Sequence, residues 1–173
     1  MLTSPEFALE DRDDIVALVR QHPWAMVASA VDAVPVVSHA PVLLDGAEDD
    51  AVSIVSHLAR PDARAHLHGV AEILAVEATW AVLERTVERF EVERPQPWSL
   101  ATVADDAHRI APGTGGFRLR SSRMVAKAKL SQDKPEEVVR SVIAGLDRDE
   151  VHGNTELAAT MRSQLPAPDG ERT

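Results

Sequence analysis

Six basic side chains crowd into one short stretch of an otherwise acidic chain: Arg118, Arg120, Arg123, Lys127, Lys129 and Lys134. If residues 124–130 are extended, Lys127, Lys129 and Ser131 point to one face. Two ammonium groups and a hydroxyl suit a phosphate or a carboxylate. The competing reading is a solvated strand face whose lysines protect a sheet edge. Histidines form a second set. His66 and His68 are separated by one residue, and His39 and His57 lie near the ends of two earlier apolar stretches. H-x-H on a strand is a workable metal pair. No carboxylate stands at a distinctive spacing from them, so half-buried polar residues on a sheet face are the plainer reading, and no metal ligand is assigned.

Nucleophilic chemistry has little support. There is no cysteine and no G-x-S-x-G. Ser38 and His39 are adjacent, as are Ser56 and His57, so on strands each pair faces opposite sides. Gly113-Thr114-Gly115-Gly116 lacks the Gly-Lys-Ser/Thr ending of a phosphate-binding loop and reads as a turn.

The elements that must position these residues follow from periodicity. Residues 11–22 read as a helix with an acidic first turn, stopped by Pro23. Residues 25–30, 34–44 and 51–58 read as strands of an antiparallel meander, with Asp45-Gly46 as turn chemistry. A fourth strand is expected over 66–75. A helix follows over 76–91, with Trp80, Leu83, Val87 and Phe90 on its core face, ended by the Pro95 and Pro97 segment. Residues 99–110 read as a short helix or loop. Strands are expected over 117–120 and 124–130. Asp133 with Glu136 suggests a capping box for a helix over 134–146. Asn154 is expected to cap a last helix, and residues 166–173 read as a disordered tail. The class is α+β.

Composition narrows the functions. The chain has 173 residues, a net charge of -10 and 3% aromatic residues without tyrosine. That length supports one domain, here taken as residues 1–165, with helices at its C-terminal end. The acidity argues against unaided binding to nucleic acid, which phosphate neutralisation drives. No apolar run reaches the roughly 20 residues of a membrane span. The N-terminus turns acidic at once, so the expectation is a cytoplasmic protein without a secretory signal.

Four motifs occur in order: Val37-Ser38-His39-Ala40-Pro41, Ser56-His57-Leu58-Ala59-Arg60, Gly116-Phe117-Arg118-Leu119, and Lys127-Ala128-Lys129-Leu130-Ser131-Gln132-Asp133. Together they resemble the PaiB-like group of FMN-binding negative transcriptional regulators, over about residues 5–146. The Lys-x-Lys-Leu-Ser-Gln run is the most specific piece. The resemblance implies an FMN-binding split β-barrel, commonly dimeric with the flavin at the interface. It implies that Lys127, Lys129, Ser131 and Gln132 line the cofactor site with Ser38, His39, His57, Ala59 and Arg60.

The sequence departs from that group after Arg60. Arg60-Pro61-Asp62-Ala63-Arg64 runs directly into Ala65-His66-Leu67-His68-Gly69, so a central, aromatic-rich stretch of the family pattern is missing. The expectation is therefore an incomplete antiparallel split barrel with peripheral helices, paired as a homodimer to cover its edges. Function is expected to be FMN binding, with a flavin-dependent redox or regulatory role. The alternatives are a paralogue that has lost flavin and serves as a structural or interaction module, and a haem- or metal-binding split barrel using His39, His57, His66 or His68. No helix-turn-helix is evident, because the acidic link at 147–150 separates the last two helices, and direct DNA contact is not expected.

Overall fold

A computed structural model of the chain describes residues 5–48, 51–67, 71–148 and 151–165. His68 and the tail from residue 166 lie outside them. In chain order the elements are β1 (Ala8–Leu9), α1 (Arg12–Gln21), β2 (Trp24–Val31), β3 (Val34–Glu48), β4 (Ala51–Ala59), α2 (Arg60–Leu67), β5 (Glu72–Ile73), α3 (Val76–Glu91), α4 (Ala104–Ile110), β6 (Thr114–Arg120), β7 (Ala126–Lys127), α5 (Glu136–Arg148) and α6 (Thr155–Ser163). The class is α+β, and all strand pairings among the described residues are antiparallel. They fall into two compact units, one spanning Arg12–Met124 and one formed by residues up to Asp11 with those from Val125 onward.

The larger unit is built on an open five-stranded sheet in the order β2-β3-β4-β6-β5. Among the described residues it does not close into a barrel, which agrees with an incomplete one. β2 and β3 form a hairpin through Asp32 and Ala33, whose φ angles of 50° and 64° are those of a tight turn that matches the strand twist. The expected turn at Asp45-Gly46 is instead a bulge within β3. Gly46 takes φ +114°, and the register against β4 shifts between Leu44 and Ala47. Asp45 anchors the bulge by accepting from Arg118 at 2.7 Å and Arg85 at 2.9 Å.

Each sheet face carries a helix. Ala40, Leu58 and Phe117 pack against Ala63 and Leu67 of α2. On the opposite face Leu43 and Val55 pack against Val82 of α3. Two adjacent glycines in β6 allow both approaches. A β-carbon on Gly115 would lie 2.7 Å from that of Ala63, and one on Gly116 would lie 2.6 Å from the Thr79 hydroxyl. The glycine run expected as a turn is thus part of a strand, because helices close in on it from both sides.

The strand expected over 66–75 is not formed as such. Residues up to Leu67 belong to α2, with Pro61 and Asp62 in its first turn, and only Glu72–Ile73 pair, with β6. His66, the first half of the expected H-x-H strand pair, lies in α2, and His68 lies outside the described residues. Trp80, expected in the core, is half-buried and stacks on His108 at 3.9 Å between ring centres.

In the smaller unit β1 pairs with β7, and α5 and α6 enclose Leu130, Val139, Ile143, Ala158 and Met161. Asn154 caps α6 by accepting from the Leu157 amide at 2.8 Å, as its position predicts. Asp133 does not cap α5. That helix starts at Glu136, after Pro135, and the Asp133 carboxylate is paired with Lys134.

Candidate functional site

The predicted site residues separate by strand alternation and by unit. On β3, Ser38 and His39 face opposite sides, as neighbours on a strand must. His39 is exposed and stands in register with Met26 of β2. His57, on β4, is half-buried and opposite Gly116. A cleft of about 420 Å³ is bordered by Ser38, His39, His57 and Ala59, with Trp24 and Asp62.

Burial holds the His57 imidazole below its ordinary value of 6.5. It is neutral at pH 7, with one nitrogen to donate and one to accept. Trp24 went unnoticed in the sequence reading. Its ring meets Phe90 of α3 edge-on at 6.1 Å, yet it remains 59% exposed. A large aromatic ring left in water beside polar side chains is a feature of the fold, and no sequence pattern marks it.

Three predicted residues are engaged elsewhere. The Ser38 hydroxyl is 2.8 Å from Nε2 of His66, whose Nδ1 is 3.0 Å from the Ser29 hydroxyl. His66 is only 2% exposed, and both ring nitrogens are satisfied in this line. Arg60 donates from Nε to Pro112 O at 2.5 Å and from Nη2 to Thr114 O at 3.3 Å, and it borders a different cavity. Gln132 closes its own loop: its carbonyl accepts from Leu130 N at 2.7 Å and its amide donates to Ala128 O at 2.8 Å.

Lys127 ends β7 half-buried, and Lys129 is exposed with Nζ 5.6 Å from the centre of the Phe7 ring. Ser131 sits at φ +65°, in the loop that Gln132 braces. Strand pairing stops at Lys127, so it does not build the shared strand face expected for Lys127, Lys129 and Ser131. The basic crowd is also partly neutralised. Arg118 pairs with Asp45 and with Glu72 at 2.8 Å, and Lys134 with Asp133 at 2.7 Å. Burial alone would push the Asp45 carboxyl up, but hydrogen bonds from Arg118 and Arg85 outweigh it and hold that carboxyl below 3.8.

Residues 1–65 match the family model described as "Putative FMN-binding domain". The matched stretch contains Ser38, His39, His57, Ala59 and Arg60 and stops before Lys127. The match supports FMN binding. No curated protein matches the chain.

The cleft suits part of that cofactor. The Trp24 indole offers a face on which an isoalloxazine can stack, and two imidazoles offer hydrogen bonds to its polar edge. Among the described residues no lysine or arginine borders the cleft, and Asp62 does, so these residues offer a phosphate no counter-charge inside it. The cations that the resemblance assigns to the cofactor, Lys127 and Lys129, belong to the other unit. For metals, among the described residues no three His, Asp or Glu side chains converge on a common point.

Proposed function

We propose that the chain is an FMN-binding protein that acts as a homodimer, with the flavin ring against the Trp24, His39 and His57 side of the sheet. The observation that carries this reading is the convergence of His39, His57 and Ala59 beside an exposed indole, within the stretch that matches the FMN-binding family model. Apolar residues around the cleft favour the dimer. Met26 is 65% exposed and Val37 50% exposed on the same sheet face, and a second copy would bury both.

When bound, FMN supplies redox chemistry, and the chain's own residues hold and orient the ring. A PaiB-like regulatory role fits this reading as an effect of flavin binding. Direct contact with DNA does not fit a net charge of -10.

One observation favours a second reading, a scaffold that has lost flavin: among the described residues the cleft holds Asp62 and no cation. A visible spectrum of the purified protein decides between them, taken before and after addition of FMN and desalting. Retained flavin bands support the first reading. A colourless protein after desalting overturns it. Sedimentation tests the dimer separately, and a single monomeric species would remove it.

A further inference from the structure

We propose that a second cavity in the Arg12–Met124 unit binds an aliphatic carboxylate of medium chain length. The cavity, of about 630 Å³, lies between α2, the β5–α3 junction and the start of β6. Its size falls in the roughly 300–1,000 Å³ range of small-ligand sites.

Its wall is apolar and made largely of small residues. Ala63, Ala71, Ala75 and Ala111 leave the volume unfilled. Ile73 is 58% exposed and Val76 59% exposed at its border, so a bound alkyl chain would take apolar surface out of water. Among the described residues no aromatic side chain lines the cavity to stack a ring. The Thr79 hydroxyl, a polar group on the wall, already donates to Leu74 O. Little is therefore present to read the polar edge of a flavin, and an aliphatic chain is the better fit.

Charge defines the other end of the ligand. Arg60 and Arg64 border the cavity, and among the described residues no carboxylate does. Among the described residues neither arginine has an acidic partner. Arg60 is held in place by the Pro112 and Thr114 carbonyls, which fix the guanidinium without neutralising it. Two fixed or available cations at the rim of an apolar chamber select a chain with one anionic head.

The test is titration of the full chain with decanoate, below its micellar range, against decanol as the neutral control. Binding is followed by calorimetry and by amide chemical shifts. We expect saturable one-site binding of decanoate, with decanol weaker by about tenfold or more. Arg64→Gln changes an exposed side chain and is expected to weaken decanoate by about tenfold while leaving decanol unchanged. Absence of decanoate binding overturns the proposal. So does equal binding of the two probes, or an unaffected Arg64→Gln variant. Saturating FMN is expected to leave decanoate affinity unchanged. Mutual displacement would mean that one site takes both, and the separate site falls. A chain that binds no FMN but binds decanoate sinks only the flavin reading.

Discussion

Gly115→Ala is a one-methyl perturbation whose consequence can be worked from distances. The added carbon would lie 2.7 Å from Cβ of Ala63 and 3.6 Å from Cα of Arg60. Carbon atoms pack best at about 3.5–4.0 Å. The Arg60 contact is ordinary, so the whole clash, roughly 1 Å of overlap, falls on one methyl group. That methyl has no rotamer to escape into, so α2 must move off the sheet, and it carries the buried Leu67 and His66 with it. Overpacking of this kind costs about 1–3 kcal/mol. The lower chain entropy of alanine in the unfolded state offsets about 0.4–1 kcal/mol of it.

The partner change, Ala63→Gly, removes the obstructing methyl. Alone it costs about 1 kcal/mol of helix propensity and about 0.8 kcal/mol of buried methyl. In the double variant the clash is gone, so its loss should be close to that of Ala63→Gly alone. The double-mutant cycle should therefore show a favourable coupling of about 1–3 kcal/mol. Urea unfolding monitored by tryptophan fluorescence gives all four stabilities, with the m-value checking that the transition stays two-state. Additivity within about 0.5 kcal/mol would refute the reasoning, since α2 would then not rest on Gly115.

Three further outcomes are expected. Ala33→Gly should raise stability by about 0.5–1 kcal/mol, because alanine at φ 64° pays a left-handed penalty that glycine avoids; a lowered thermal midpoint would contradict it. His57 has a folded value below 6.5, so just below that pH the unfolded chain binds a proton that the folded chain does not. Stability from this group should be complete above pH 6.5 and decline as pH falls through it, and His57→Gln should flatten that limb of a stability profile. Under the flavin reading, Lys127→Ala with Lys129→Ala should weaken FMN binding by about tenfold or more in a flavin-fluorescence titration; unchanged affinity would remove these lysines from the phosphate.

Much of the fold was legible because periodicity and punctuation agreed. The meander of β2, β3 and β4 and the full span of α3 follow from apolar spacing bounded by Pro23 and the proline segment after Glu91. Errors arose where one signal had two physical causes. Arg60-Pro61-Asp62 carries helix-start chemistry, proline and then aspartate, but the alternation of His66, Leu67 and His68 imitates a strand. Gly115-Gly116 looks like a turn from composition, yet the need is for close approach rather than for positive φ. The candidate site was legible in type but not in grouping. Strand alternation turned the Ser38 hydroxyl from the cleft that His39 borders, and a loop brace engaged the Gln132 amide. The Ser38 engagement depends on His66, far away in sequence, and the Gln132 brace on a loop conformation that residue spacing alone does not record.

The line from Ser29 through His66 to Ser38 has a property that its heavy atoms do not display. A hydroxyl can donate or accept, and a neutral imidazole does one at each nitrogen. The line can therefore be drawn in two senses: one with the Nδ1 proton given to Ser29, the other with the Nε2 proton given to Ser38. Each sense satisfies both ring nitrogens without moving a heavy atom. Exchange between them would reverse a dipole lying across β2 and β3, at one edge of the sheet. Beneath β2 the same heavy-atom positions thus admit either polarity, and protons alone tell the two apart.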